Sequence, residues 1–316
     1  MKAAVIKKYG KPNVFQLETV PEPSPLADEV KIRVMASSVN PIDYKTRSGS
    51  IFFISGWRFP RILGADFSGV VMECGAQVKQ FKPGDAVYGF SSAATKGGAY
   101  GEVMCCQASR LAIRPKSLKD QQAAAVPLAG LTAYQALYRE GKMTSGMRVL
   151  ITGATGGVGH FAVQIAKAAG CHVTGVCHSR NSELALQLGC DEVFPYDQDD
   201  FRQNGQPYDL IFDAAGKYGF FTCRGNLKPK GTFVSTIPLP AIIAMHFFSK
   251  WSSGRKGRFV SASAKTADLE VLGALSDGGA LTSHIEHVFS LSDIAKAHEL
   301  SETEQVRGKI VILVHN

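Results

Sequence analysis

The sequence predicts an α/β protein in two parts, a barrel-like β domain followed by a doubly wound parallel sheet with helices on both faces. Three observations carry that expectation. The first third is written in short β-rich runs, the spacing turns helical near Asp120, and apolar strands then alternate with amphipathic helices. A chain of 316 residues has room for about two ordinary domains. Hydrophobic residues at 45% and charged residues at 20% exclude the disordered, collagen-like and coiled-coil classes.

The elements follow in order. AAVIKK, EVKIRVMASSVN, SGVVMECG, GDAVYGF and YGEVMCC are bounded by Gly, Pro and Asp, as half-buried strands are. QQAAAVPLAGLTAYQALYRE brings Ala and Leu at helical spacing and marks a border, drawn between residues 122 and 123. Then RVLIT, VGHFAVQIAKAAG, HVTGVC, NSELALQLGC, EVFPY, YDLIFDAAG and GTFVST alternate strand with helix. Continuous apolar strands are what a parallel sheet covered on both faces requires. Residues 123–263 are therefore read as the second domain. Residues 264–316, with AKTADLEVLGALSDGG, SDIAKAHEL and RGKIVILV, return to complete the first domain of residues 1–122.

The strand RVLIT runs straight into GATGGVG, Gly153–Gly159, and then into a helix with an apolar stripe. Glycines let the backbone turn sharply and approach a pyrophosphate, whose charge meets the unpaired N–H groups at the helix start. The flanking strand and helix, with a second strand beyond, separate this loop from an ordinary tight turn and predict a dinucleotide site. In NAD sites the second strand commonly ends in Asp or Glu about twenty residues on. Here it ends Val176-Cys177-His178-Ser179-Arg180. Ser179 and Arg180 suit a 2′-phosphate through neutral and charge-assisted hydrogen bonds, so NADPH is the expected cofactor. A solvated Arg180 is the alternative, and would leave the choice open. A short-chain reductase also uses a Gly-rich loop of this type, but near its N-terminus and with a downstream Tyr-x-x-x-Lys pair. The pair here, Tyr138 and Lys142, lies upstream.

A net charge of +8, spread along the chain without a basic run, fits a protein that handles anions and disfavours a nucleic-acid partner. Seven scattered cysteines in a chain of this size read as reduced thiols, and the N-terminus lacks the apolar core of an export signal, so a cytoplasmic protein is expected. The most apolar stretch, Ile237 to Phe248, is too short for a membrane span. The eight histidines form no ligand cluster and no G-x-S-x-G elbow occurs, which leaves hydrolases without support.

Taken together, EVKIRVMASSVNPIDYKTRSG, GADFSGVVMECG, FKPGDAVYG, GLTAYQAL, ITGATGGVGHFAVQIAKAAG, LGCDEVFPY and RGKIVIL resemble the medium-chain dehydrogenase/reductase superfamily. Within it they look like the zinc-free, zeta-crystallin-like quinone oxidoreductase branch. The Asn-Pro-Ile-Asp-Tyr-Lys block is most similar to the chloroplast-envelope quinone oxidoreductase homologues and the alkenal/enone reductases. The resemblance implies a GroES-like β domain, a Rossmann domain, and a homodimer. Zinc-dependent relatives carry a cysteine ligand in the block matching Val39–Lys45 and a His-Glu pair matching Ala65-Asp66. Neither is present, so no metal site is expected.

Without a Lewis acid, a conjugated acceptor that delocalises its own charge is the chemically suited substrate, a quinone or an α,β-unsaturated carbonyl. The resemblance places Asn40 and Asp43 beside the nicotinamide, as a positioning amide and an orienting carboxylate; a simple Asn-Pro turn is the alternative. Lys45, which stands where bacterial relatives have a tyrosine, either donates to the developing enolate oxygen or is a surface lysine. Thr132 resembles a nicotinamide-side contact, and Thr155, Gly156, Gly157 and Val158 match the pyrophosphate loop. Tyr196 matches an aromatic near the adenosine phosphate, while Asp213 and Ala214 end the fourth strand at the crevice. Val260 matches a later nicotinamide contact, or is only core, and Lys309 is expected at the adenosine end. An NADPH-binding protein of low turnover, with a structural, RNA-binding or partner-binding role, is the alternative function.

Overall fold

The computed structural model describes residues 1–91, 98–203, 205–238, 242 and 254–315. It divides into two units, Met1–Ala129 with Ala264–Asn316, and Gly130–Ser263. The division falls after Ala129 rather than after residue 122. The helix Asp120–Ala125 accounts for this, because Ala124 and Ala125 pack with Ala36 and Val311 in the first unit's core.

Alternation of apolar and polar residues gives the first unit its strands β1 (Lys2–Ile6), β2 (Phe15–Thr19), β3 (Glu29–Val39), β4 (Arg61–Ile62), β5 (Asp66–Cys74), β6 (Ala86–Phe90), β7 (Val103–Gln107) and β8 (Leu111–Ile113). The second unit holds β9 (Arg148–Thr152), β10 (His172–Cys177), β11 (Glu192–Pro195), β12 (Tyr208–Asp213), β13 (Leu227–Ser235) and β14 (Lys256–Phe259). The chain then returns to the first unit with β15 (Ile285–Ser290) and β16 (Lys309–Leu313).

In the first unit a seven-stranded sheet runs β15-β16-β3-β5-β6-β8, with β7 also on β3, beside a three-stranded sheet β2-β1-β4. Register shifts at Lys31/Ile32 and Val34/Ala36 let the eleven residues of β3 follow β5 along its length. One consequence positions the site. Ser38 lies opposite Asp66 on β5, and Val39 lies opposite Ile310 on β16. The C-terminal end of β3 is thus bracketed by the first residues of two neighbouring strands, Asp66 and Lys309. Val30, Ile32, Val34, Phe67 and Val71 pack one core of this unit, and Ile6, Val39, Leu63, Ile310 and Ile312 another.

In the second unit every described strand pair is parallel, in the order β11-β10-β9-β12-β13-β14. This is the doubly wound order expected, and it reverses direction between β9 and β12. β9 is buried from Val149 to Thr152 and β12 from Leu210 to Asp213, as strands covered on both faces must be. The run of helical spacing after Asp120 forms Asp120–Ala125 and Pro127–Tyr134, divided at Pro127, which has no N–H to continue the ladder, followed by a π-helical turn Gln135–Glu140. Most of the Ile237–Phe248 stretch lies outside the described residues. Among the described residues no helix is long and apolar enough to cross a membrane.

Candidate functional site

In the first unit the sequence Val39-Asn40-Pro41 ends β3 and opens the helix Pro41–Ser48. Pro41 sits in its first turn, where a missing N–H costs nothing. Asp43, three residues after the cap, accepts the Asn40 N–H through Oδ2 at 2.9 Å. The block is therefore a helix start rather than a free turn. The Asn40 side chain points elsewhere: its Nδ2 donates to Asp66 Oδ2 at 2.8 Å and its Oδ1 accepts from Lys309 Nζ at 2.6 Å. A carboxamide held at both ends has one orientation, with oxygen and nitrogen assigned by their partners.

Asp66 is fully buried and accepts three more hydrogen bonds or charges: Ser38 Oγ at 2.7 Å, the Leu128 N–H at 2.8 Å, and the Lys309 ammonium 3.6 Å away. Burial raises its pKa, and Lys309 with these donors pulls it back. Burial likewise lowers the Lys309 pKa, opposed by Asp66 and Asp43. Burial pushes the Asp43 carboxyl up to about 7, against the Asn40 N–H, and the Asp66 carboxylate nearby adds to the rise while Lys309 opposes it. Tyr100 donates or accepts with His298 Nε2 at 3.2 Å, and burial drives that histidine down to about 3, so it is neutral. Buried Arg47 is paired with Glu302. Lys45, by contrast, is exposed on the same helix.

Lys309, expected at the adenosine end, is 3% exposed and directs its ammonium at Asn40 Oδ1, the Val39 carbonyl at 3.4 Å and Asp66. Asp66 was missed as a site residue. A charged residue opening the apolar strand text DFSGVV, like the lysine opening KIVIL, was the available signal.

In the second unit β9 runs through Gly153–Gly159 into the helix Gly159–Ala168. Gly153 has φ +62°, and a Cβ on Gly159 would lie 1.9 Å from the Gly153 carbonyl oxygen, so both positions require glycine. Thr155 is buried, while Gly156, Gly157 and Val158 are partly exposed at the helix start. At the reversal of strand order Thr152 Oγ1 donates to Asp213 Oδ1 at 2.6 Å, and the Tyr218 N–H to Oδ2 at 3.0 Å. Asp213 therefore ties β9 to the loop after β12, and Ala214 beside it is partly exposed. Val260 is buried, its N–H on Ser235 O at 2.9 Å, and Thr132 is half-buried on Pro127–Tyr134.

The end of β10 itself carries no carboxylate, as the sequence shows, but Asp197 from the turn after β11 accepts the Ser179 N–H at 2.7 Å and the Ser179 hydroxyl at 2.6 Å, with His178 Nδ1 3.7 Å away. Hydrogen bonds from Ser179 hold the Asp197 carboxyl below its usual range, so it is ionised. Parallel pairing of Cys177 with Pro195 brings the residues after both strands together, which spacing along the chain does not reveal. Tyr196 is 56% exposed beside His178, and Arg180 is exposed.

These residues fit a dinucleotide, given a glycine cradle that a Cβ would fill, a helix start and a strand-order reversal. They do not fit zinc. Among the described residues no three His, Cys, Asp or Glu side chains are grouped to hold a metal, and a lysine ammonium already stands beside Asp66.

Residues 26–116 match the alcohol dehydrogenase GroES-like domain family, and residues 188–312 match a family described as zinc-binding dehydrogenase. The chain is 35% identical to human "NAD(P)H oxidoreductase RTN4IP1, mitochondrial", over 99% of this chain and 89% of that protein. It is 33% identical to the "Chloroplast envelope quinone oxidoreductase homolog" of Arabidopsis thaliana, over 93% and 92% of the two chains. The solved quinone oxidoreductase from Coxiella burnetii superposes with a TM-score of 0.92 at 34% identity, over 100% and 99% of the two chains. With its glycine cradle, doubly wound sheet and barrel-like first unit, the chain belongs to the medium-chain dehydrogenase/reductase superfamily, in its quinone oxidoreductase branch of NAD(P)H-dependent oxidoreductases.

Proposed function

We propose that this protein is a metal-free reductase that uses NADPH to reduce quinones or α,β-unsaturated carbonyls. The observation that carries this reading is the Asn40 amide, clamped between Asp66 and Lys309 where zinc-dependent relatives place metal ligands. With a protein cation there in place of a Lewis acid, the acceptor must delocalise its own charge, as a quinone or enone does. The bound nicotinamide supplies the hydride. Gly156, Gly157 and Val158, with Thr155, would hold the pyrophosphate, and Thr132, Ala214 and Val260 would lie on the nicotinamide side. Asp213 braces the crevice from behind. Asn40 orients, Asp43 holds a proton near neutrality, and exposed Lys45 donates to the acceptor oxygen.

Arg180 supports NADPH by offering a guanidinium to a 2′-phosphate, with Tyr196 packed against the neighbouring His178. Asp197 weighs the other way by occupying the donors of Ser179. A homodimer is in keeping with β14 ending the sheet order among the described residues. Seven free cysteines, six of them buried, support a reducing compartment, and we propose the cytosol, although the relatives above carry mitochondrial and chloroplast names.

The test mixes the protein with NADPH and a panel of quinones, enones and alkenals and follows nicotinamide absorbance, with and without a chelator. Oxidation that survives the chelator is expected. NADPH binding without turnover on any acceptor would instead favour a binding protein, and loss of activity on chelation would restore a metal.

A further inference from the structure

The dinucleotide crevice of a parallel sheet lies outside the carboxyl ends of its strands. The second unit has a cavity of ≈ 570 Å³ at the other edge, where the strands begin. Met147 precedes β9, Asp209 is the second residue of β12, and Thr232 of β13 is level with Lys256, the first residue of β14. Its walls carry five cations, Arg139, Lys142, Lys230, Lys256 and Arg258, against two acids, Glu140 and Asp209. Asp209 is already engaged, accepting Lys228 Nζ at 2.7 Å and the Arg148 N–H at 2.9 Å. Among the described residues Lys142, Lys230 and Lys256 have no ion-pair partner. The cavity therefore carries an uncompensated positive charge.

A second observation concerns the backbone. Three non-glycine residues among those described have positive φ, and two of them, Lys142 at 52° and Lys230 at 68°, line this one cavity. Glycine takes that conformation without strain and lysine does not. Backbone of this kind is held in place by its surroundings and clusters at ligand sites.

We propose that this cavity binds a compact anion bearing two or more phosphate groups, independently of the dinucleotide. Lysine ammonium groups meet phosphate oxygens as mobile point charges. Ligand pockets run from about 300 to 1,000 Å³, so the cavity admits a nucleotide as well as a bare phosphate chain.

The experiment titrates the full chain calorimetrically with inorganic tripolyphosphate and, in a second arm, with a nucleoside 5′-triphosphate, each with and without saturating NADPH. Saturable binding that NADPH does not displace is expected in at least the first arm; tighter binding in the second assigns the site to a nucleotide. The decisive variant is Lys142→Gly with Lys230→Gly, which removes both charges and relaxes both backbones. Its melting temperature should hold or rise while tripolyphosphate binding weakens about tenfold or more. No binding by the native chain, displacement by NADPH, or undiminished binding in the double variant would overturn the proposal.

Discussion

At the scale of single residues, charge and burial set the chemistry. An Asp43 carboxyl at about 7 in the folded chain titrates near its ordinary value of about 3.9 once unfolded. Between these values the native state binds the extra proton, so the contribution of Asp43 to stability is greatest below about pH 4, falls as pH rises, and levels off above about 7. Asp43→Asn removes that slope. Denaturant unfolding at a series of pH values should show the variant gaining on the native chain from pH 4 to 7, and a constant difference would contradict the buried, protonated carboxyl. Asp197 makes a second case. Neutralising it in Asp197→Asn replaces one of the two oxygens that accept from Ser179 by an NH2 group, frees one Ser179 donor and removes a repulsive charge, so the ratio of NADPH to NADH affinity should rise by about tenfold. Fluorescence titration with both cofactors measures this, and an unchanged ratio would place the 2′-group away from Ser179.

At the scale of elements, the strand–loop–helix β9, Gly153–Gly159 and Gly159–Ala168 depends on one close approach. Gly159→Ala puts a methyl group 1.9 Å from a backbone oxygen that cannot rotate away. The helix start must move off the loop, and NADPH affinity should fall about tenfold or more, with the melting temperature lowered as well. Nicotinamide fluorescence and thermal melting read the two effects separately. The same motif was the most legible part of the sequence, because its requirements are local. Glycine spacing, an apolar strand and an amphipathic helix all lie within about twenty residues of each other. The helical spacing after Asp120 is divided into two helices for an equally local reason, the missing proline N–H at Pro127.

At the scale of the whole molecule, the first unit is closed by a strand from the far end of the chain. β16 pairs with β3 and delivers Lys309 to Asn40, 269 residues away in sequence. Removing one member of a buried ion pair leaves the other uncompensated, which costs about 3–5 kcal/mol. Lys309→Met should therefore lower stability by that order, measured by urea unfolding, and should reduce turnover by freeing the Asn40 amide. A loss below about 1 kcal/mol would mean that Asp66 does not rely on the ammonium.

Taken by itself, the sequence determined the two-part α/β architecture, the order of strands and helices in the second unit, and the dinucleotide loop, since hydrophobic period and glycine spacing act between near neighbours. Only the tertiary structure decided that Asp66 and Lys309 clamp Asn40, that Asp197 occupies Ser179, and that five cations gather at the amino edge of the sheet. Those groupings come from sheet order and register, which place side chains from distant segments within hydrogen-bond reach, and no periodicity along the chain records which strand ends will be neighbours.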